Sequence, residues 1–512
     1  MTFNSLAYAL FLPSVFLLYW LWGRRGGYRR QNVLLLLASY LFYGWWDWRF
    51  CFLILFTTVT TYFCALRPGH RRGWTTLSIV VNLAVLVVFK YFNFFGDNLA
   101  RLLSTFGVAV DWVTIEILLP VGISFYTFQA VSYAVDTYHR RIAPTRDFTA
   151  YALFVVFFPQ LVAGPIERST ELLPQFLRPR TWSYSQSVDG LRLILWGLFK
   201  KCVVADGVAF WVDSAYANHL GASSLPESVK CLVGVVGFAI QIYGDFSGYS
   251  DIAKGSAQLL GIRLMDNFLY PFFSRNALEL WHRWHRSLMQ WFTEYVYIPL
   301  GGSRRGSRYV NVMAVFLLSG LWHGAEMSFV AWGAACGVWY LAAMLLGAAK
   351  YRPDRSPEPA RTDMLKIVAT FLIFVAVFVL FRADNITEAG MMYGAVWRAA
   401  LPASIFALAF GAAASRWRWI NLRNVVAAAA LVLLAALAMR PALTLSLLLG
   451  FGGFVAAAVM MAVEWRGRAH HFAFGSVLPR RRWARICIYM ALYAVILTCV
   501  LRTEGEFIYF KF

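Results

Sequence analysis

The sequence predicts an all-α fold: a polytopic bundle of transmembrane helices forming a single domain over residues 1–512. Of the 512 residues, 60% are hydrophobic and only 14% are charged, whereas soluble domains carry about a quarter charged residues. The mean hydropathy is +0.58. Apolar stretches recur from Leu6 to Leu501, and many approach the roughly 20 residues that a helix needs to span a bilayer. We expect about 11 to 14 crossings, with further helices that are re-entrant or lie in the membrane plane.

The net charge of +21 is distributed as the positive-inside rule requires. Basic residues occur in short groups between apolar stretches, at 24–30, 67–72 and 480–482, which predicts that these loops are cytoplasmic. A nucleic-acid interface would instead need a basic face or stripe, so we expect no nucleic-acid partner. The first basic group follows the apolar segment 6–22, which predicts a retained helix with its amino terminus outside the cytoplasm.

One segment departs from the apolar pattern. Residues 238–308 are too polar to face lipid, and polar groups at membrane depth must face protein or a water-filled cavity. Within them, 241–251 (QIYGDFSGYSD) combines two glycines with two acids, which predicts an unwound or kinked helix lining a cavity. Two prolines and a glycine at 159–168 (PQLVAGPIER) predict a re-entrant turn at the end of a span.

His323 is the strongest candidate for chemistry. It follows the apolar segment 310–322 and precedes the apolar segment 327–346, so we expect its imidazole in or near the hydrocarbon layer. Ionisable groups at that depth are costly and usually functional. A neutral imidazole there accepts a proton. The alternative is a histidine that only hydrogen-bonds between helices.

A second group of candidates lies in 281–286 (WHRWHR). On a continuous helix His282 and His285 are three residues apart and share a face, with Glu279 on the same face. Two histidines and a carboxylate could suggest zinc, but the HExxH spacing is absent and no third ligand is evident. The seven cysteines also contain no CxxC pair, so we predict no metal. An interfacial helix held by its tryptophans and a wall of the cavity around His323 both remain open.

The loop 297–308 (YIPLGGSRRGSR) contains a proline and a glycine pair that break a helix. Arg304 and Arg305 then form a dense basic group. Such a group binds anionic lipid or a phosphorylated donor such as a nucleotide. A basic cytoplasmic loop that only sets the topology is the alternative.

Seven motifs follow one another along the chain: LPVGISFYTFQAVSYAVDTY (119–138), FFPQLVAGPIER (157–168), QIYGDFSGYSDIA (241–253), NFLYPFFSRNALELWHRWHRSLMQWFTEYVYIPLGG (267–302), LLSGLWHGA (317–325), FRADN (381–385) and FIYFKF (507–512). Together they resemble the membrane-bound O-acyltransferases, in the branch of bacterial alginate O-acetylation membrane proteins. The core of the resemblance is 119–385, and 397–480 matches poorly. The histidine motif also departs from the usual WHISLS ending, which is WHRSLM here.

The resemblance implies a ring of helices around a thin floor that a central tunnel crosses. It implies that His323 is the membrane-embedded catalytic histidine and that His285 and His282 belong to the same site. Trp281 and Trp322, beside these histidines in the motifs, are expected to contact substrate. The donor would enter from the cytoplasm and the acceptor from outside.

By this resemblance the chain is expected to be an O-acyltransferase of the bacterial inner membrane. We expect it to take acetyl from a cytoplasmic thioester, acetyl-CoA, without a bound cofactor. Its other partners would be a periplasmic acetyltransferase or carrier protein, membrane lipid and an exopolysaccharide acceptor. Alginate is the first candidate for this acceptor. Other glycans such as cellulose or peptidoglycan are alternatives. A transporter of an acyl donor is the non-enzymatic alternative, which an inverted repeat would favour.

Overall fold

The computed structural model describes residues 1–23, 27–67, 69, 71–108, 119–162, 164–217, 224–347, 358–399 and 445–500. These residues form helices joined by loops, and none of them forms a β-strand. The predicted all-α class is therefore confirmed. Most of the poorly matched region and the tail motif FIYFKF lie outside the described residues.

The helices of the amino-terminal half are α1 Leu6–Trp22, α2 Gly27–Gly44, α3 Arg49–Leu66, α4 Arg71–Leu86, α5 Phe92–Thr105, α6 Ile123–Tyr138, α7 Phe148–Val156, α8 Phe158–Leu161, α9 Ser169–Phe176, α10 Tyr184–Leu198 and α11 Asp206–Ala217. Those of the carboxy-terminal half are α12 Leu225–Leu259, α13 Ala277–Arg283, α14 Arg286–Phe292, α15 Arg308–His323, α16 Met327–Leu345, α17 Met364–Arg382, α18 at 386–399, α19 Leu445–Gly467, α20 Ala473–Val477 and α21 Arg482–Val500. Three π-helical segments continue α4, α10 and α14: Val87–Tyr91, Phe199–Ala205 and Thr293–Tyr297.

Six helical stretches of the described chain are long and apolar enough to cross a membrane: 49–66, 71–105, 225–259, 327–345, 361–382 and 482–500. Shorter apolar helices occupy 6–22 and 148–161. The predicted multi-pass character is thus confirmed, whereas the number of crossings remains a prediction. The seven-residue helices α13 and α14 are each about 10 Å long, too short to cross.

The kink predicted at 241–251 is wrong. This segment lies inside α12, an uninterrupted helix of 35 residues. Its glycines instead allow a close contact with α10. A Cβ on Gly248 would lie 2.7 Å from the carbonyl oxygen of Gly197, and a Cβ on Gly197 would lie 2.5 Å from that of Gly248. Because the two backbones meet there, a straight α12 carries its polar side chains into the protein interior.

The charges on α12 are paired with lysines of the π-helical segment that follows α10. Lys201 Nζ lies 2.7 Å from Asp206 Oδ1 and 2.8 Å from Asp245 Oδ1. Its neighbour Lys200 lies with Nζ 2.6 Å from Asp251 Oδ2. Both lysines are buried. An unpaired charge at membrane depth would be costly, so these pairs help to hold α12 within the bundle.

The apolar stretch 148–161 is divided at Phe157. The backbone of Phe157 (φ −54°, ψ 111°) leaves the helical region and separates α7 from the one-turn helix α8. Both helices are buried. The chain then turns toward the first turn of α14, where the Ile166 N–H donates to Ser287 Oγ at 3.0 Å. The break brings the 159–168 motif next to the histidine-containing segment.

Candidate active site

α15 ends at His323, which is only 5% exposed. The helix stops there because Gly324 is extended, with φ −154° and ψ 149°. Aromatic rings surround the imidazole, among them Trp322, Trp332, Phe381 and His285, at centroid distances of 4.9, 5.1, 5.2 and 6.3 Å. These side chains come from α15, α16, α17 and the junction before α14. His323 therefore lies where four elements meet.

His285 is the second buried imidazole, with 1% of its surface exposed. Its backbone is left-handed (φ 41°, ψ 52°), which is uncommon and strained for a residue other than glycine. Its ring packs edge-on against Phe246, with centroids 4.6 Å apart. Neither ring nitrogen has a hydrogen-bond partner among the described residues. Since buried polar groups nearly always have partners, this imidazole is suited to bind a ligand or water.

The prediction that His282 and His285 share one helix face is wrong. α13 ends at Arg283, and Trp284 is extended (φ −94°, ψ 129°). The two histidines therefore lie on either side of a break, and their spacing no longer places them on one face. His285 lies against His323, with ring centroids 6.3 Å apart.

Hydrogen bonds to the segment 267–269 hold this break open. The Arg286 N–H donates to the carbonyl oxygen of Asn267 at 2.8 Å, and the Leu269 N–H donates to that of Arg283 at 3.0 Å. Ser287 Oγ donates to Asn267 Oδ1 at 2.6 Å. In a continuous helix these carbonyl and amide groups would bond to each other. Here they bond to residues 267–269 instead, which stabilises the strained residue His285 between them.

Glu279 does not act with the histidines. Its carboxylate lies 2.8 Å from Arg275 Nε and 3.1 Å from Arg283 Nη2, and it is fully buried. Within the described ranges, no group of three His, Cys, Asp or Glu side chains is arranged to hold a metal ion. The carboxylate belongs to a structural ion-pair network rather than to the imidazole site.

His282 lines a groove of about 230 Å³ together with Trp281, Arg286 and Tyr340. A second groove of about 440 Å³ lies next to the first: Tyr340 lines both grooves, and Arg308 lines the second. We call these two grooves together the rim groove. On the basis of the basic loop beside it, we expect the groove to open toward the cytoplasm.

A small polar cavity lies next to Phe268, close to His285. Its volume is about 20 Å³, enough for about one water molecule. It is lined by charged side chains of α12, α19 and the π-helical segment after α10, and by Phe268. The Phe268 ring lies 6.5 Å from that of His285. The Phe268 ring therefore lies beside both the cavity and the site, and a tunnel through the protein remains a prediction.

The two tryptophans predicted to contact substrate both lie near the imidazoles. Trp322 packs 5.9 Å from His285. Trp281 lies 5.9 Å from Trp332, which in turn contacts His323. In the part of the chain that the structure describes, the indole N–H groups of all three tryptophans are buried without an acceptor. They are donors that a polar ligand could satisfy.

Arg304 and Arg305 lie on an exposed loop before α15. The loop is tied to that helix because Asn311 Nδ2 donates to the carbonyl oxygen of Gly302 at 2.8 Å. His323 is at the opposite end of α15, and 16 residues make about 24 Å. Ser303 and Arg308, which flank the two arginines in the chain, line the rim groove. The arginines therefore lie beside the groove and far from the imidazoles.

The sequence reasoning missed two neighbours of the site. Lys90 Nζ donates to the carbonyl oxygens of Trp322 and His323, at 2.7 and 3.1 Å. Phe381, in the FRADN motif, packs on His323. A lone lysine inside an apolar span was a usable signal for the first, because charges at that depth are rarely accidental. An apolar ring in an apolar helix carries no such signal.

Comparisons with known proteins agree with the resemblance. A profile of the MBOAT, membrane-bound O-acyltransferase family matches residues 42–380. The probable alginate O-acetylase of Pseudomonas putida is 39% identical over 409 residues, which are 78% of this chain and 80% of that protein. That of Pseudomonas aeruginosa is 40% identical over 407 residues, 78% of this chain and 75% of that protein. The peptidoglycan O-acetyltransferase of Helicobacter pylori is 33% identical over 392 residues, 70% of this chain and 72% of that protein.

Proposed function

The chain belongs to the membrane-bound O-acyltransferase family and is a multi-pass membrane O-acyltransferase, and on this premise we propose that it supplies acetyl groups for O-acetylation of an exported polysaccharide, alginate first. The observation that carries the proposal is the buried pair His285 and His323, with ring centroids 6.3 Å apart. The donor would be a cytoplasmic thioester, acetyl-CoA, and the protein would lie in the bacterial inner membrane.

In the proposed reaction His323 is the general base. Its imidazole removes the proton of the attacking hydroxyl group while the hydroxyl oxygen bonds to the thioester carbonyl carbon. The C–S bond of the tetrahedral intermediate then breaks. The departing thiolate takes the proton that His323 holds, so the base returns to its starting state. These steps balance without a bound cofactor.

His285 would donate a hydrogen bond to the carbonyl oxygen as that atom becomes an oxyanion. Its position supports this role, because its ring faces His323 and its nitrogens meet no partner among the described residues. The indole N–H groups of Trp281, Trp322 and Trp332 would supply further donors. A donor fixed before the reaction needs little reorganisation when charge develops, which is the source of its catalytic value.

The rim groove is where we place the charged part of the donor. His282, Arg286 and Arg308 line it, and cationic side chains bind phosphate groups through charge-assisted hydrogen bonds. Arg304 and Arg305, exposed beside it, would add to the attraction. The indoles of Trp281 and Trp332 lie between this groove and His323. The thioester arm would pass along these rings to reach the imidazoles.

On the far side a periplasmic acetyltransferase or carrier protein would take up the acetyl group and deliver it to sugar hydroxyls. Alginate is the first candidate because proteins named as probable alginate O-acetylases match about three quarters of the chain at 39–40% identity. Peptidoglycan is the second candidate because of the 33% identical peptidoglycan O-acetyltransferase.

Complementation tests the acceptor. The chain is expressed in an alginate-producing bacterium from which the resident alginate O-acetylase gene has been deleted. Acetyl groups per uronic acid residue are then measured in the exported polymer by NMR, and acetylated muropeptides are measured in the same cells. We expect the polymer to regain acetyl groups and the muropeptides to stay unchanged. Acetylated muropeptides with an unacetylated polymer would favour the second candidate instead.

Proteoliposomes test the donor. Purified protein is supplied with acetyl-labelled acetyl-CoA, and release of free CoA is followed. An acyltransferase that uses acetyl-CoA produces free CoA as acetyl is transferred. Movement of the intact labelled molecule into the vesicles without free CoA would indicate a transporter and overturn the enzymatic proposal.

A further inference from the structure

The end of α15 that carries His323 is held by two successive residues of one π-helical segment. Lys90 Nζ donates to the carbonyl oxygens of Trp322 and His323 at 2.7 and 3.1 Å. Tyr91 Oη donates to the carbonyl oxygen of Leu321 at 2.9 Å. π-helical turns of this kind are rare and occur often at functional sites.

These bonds complete the carboxy terminus of α15. The last four carbonyl groups of an α-helix have no partner within the helix. Here the carbonyl oxygen of Gly320 accepts a hydrogen bond from the N–H of Gly324 at 3.3 Å. The carbonyl oxygens of the last three residues accept hydrogen bonds from the side chains of Lys90 and Tyr91. A helix end buried among aromatic rings, away from water, is thereby satisfied by side chains from a single segment.

The charge of Lys90 is balanced in an unusual way. Among the described residues it forms no salt bridge with a carboxylate, and its hydrogen bonds go to backbone carbonyls. The carboxy terminus of a helix carries roughly half a negative charge, which favours an ammonium group at this position. The ammonium also lies 5.9 Å from the centroid of the Trp322 ring. A neutral residue of the same length would pack similarly but would leave both carbonyl groups unpaired.

We propose that Lys90 is a positioning residue: it fixes the backbone of His323 and so directs the imidazole toward His285. This inference rests on the proposed role of His323 as general base. Lys90 bonds to the carbonyl of the catalytic residue itself, whereas Tyr91 bonds two residues earlier. Tyr91 is therefore a matched control, since it caps the same helix without holding His323.

The test compares Lys90→Met, Lys90→Arg and Tyr91→Phe in proteoliposomes, with release of free CoA from acetyl-CoA as the readout. A misplacement of about 1 Å costs a reaction about 100-fold. We therefore expect Lys90→Met to lower kcat by about 10- to 100-fold with KM for acetyl-CoA within about twofold. Lys90→Arg keeps the charge and several donors and should retain an intermediate kcat. Tyr91→Phe should stay within about threefold of the wild type.

Size-exclusion profiles and thermal unfolding in detergent establish that each variant is folded. If Lys90→Met does not fold, Lys90→Gln replaces it, because the amide retains a donor at a shorter reach. An unchanged kcat in the folded variant overturns the inference, as does an equal loss of kcat in Tyr91→Phe. An inactive His323→Ala beside a fully active Lys90→Met would refute the positioning role alone. An active His323→Ala would refute the proposed function as well.

Discussion

The contact between α15 and α16 offers a sharp test of how closely the site depends on helix packing. A Cβ on Gly333 of α16 would lie 2.4 Å from the carbonyl oxygen of Phe316 on α15, and a Cβ on Gly320 would lie 2.3 Å from that of Phe329. Backbone faces backbone at both points, so no side chain can move aside. The helices must therefore separate to accept any residue larger than glycine.

Gly333→Ala forces that separation. The new Cβ and the Phe316 oxygen would have to part from 2.4 Å to at least 3.0 Å. Trp332, next to the substitution, packs on His323, so the shift reaches the imidazole. Overpacking of this kind costs about 1–3 kcal/mol of stability. Since a displacement near 1 Å costs a reaction about 100-fold, we expect kcat to fall by about 10- to 100-fold in protein that remains folded.

Gly337→Ala is the matched control on the same helix. Its Cβ would meet the Met313 thioether at 2.8 Å, and that flexible side chain can move at little cost. CoA release by both variants is measured in proteoliposomes, with thermal unfolding in detergent alongside. We expect Gly337→Ala to behave like the wild type. Equal activity of the two variants would show that the site tolerates displacement of α16 and would refute this reasoning.

Three further predictions address the second imidazole and the buried charges. His285→Leu removes both ring nitrogens and should lower kcat by about 100-fold or more, as loss of an oxyanion donor does, with KM for acetyl-CoA little changed; a loss confined to KM would contradict the role. Lys201→Met removes the ammonium that pairs with two buried carboxylates and should cost about 3–5 kcal/mol. The exposed Lys366→Met serves as its control, and equal thermal stability of the two variants would refute the prediction. Burial raises the pKa of Glu167, in the loop before α9, to about 8. The folded state therefore keeps a proton that the unfolded chain loses near pH 4.5, so stability should fall as pH rises from about 4.5 to 8. Glu167→Gln should remove this fall, and an unchanged pH profile of unfolding would contradict it.

Hydropathy and charge placement predicted the all-α, multi-pass class because lipid as solvent constrains composition strongly. His323 stood out for the same reason, because an imidazole within an apolar stretch is costly. The structure places His285 against it, a proximity that spacing alone did not contain. The two histidines are 38 residues apart, as 323 − 285, and their meeting depends on the bonds from Asn267 to the broken helix.

The errors share one physical origin. Gly244 and Gly248 suggested a kink. Instead, Gly248 lies against the backbone of α10 and Gly244 against that of the π-helical segment after α10, so both glycines allow helices to pack closely. His282 and His285 suggested one helix face, but a left-handed residue separates them. In both cases a local pattern was overruled by contacts with residues distant in the sequence, which a single sequence does not display.

The proposed reaction depends above all on His323, the group that accepts the proton of the attacking hydroxyl. The decisive measurement is the acetyl content of polysaccharide exported by cells that express His323→Ala, with His139→Ala, an exposed loop histidine, as control. Both proteins must be present in the membrane at wild-type amounts. We expect an unacetylated polymer for His323→Ala and normal acetylation for His139→Ala. Normal acetylation in both strains would contradict the role of His323 as general base.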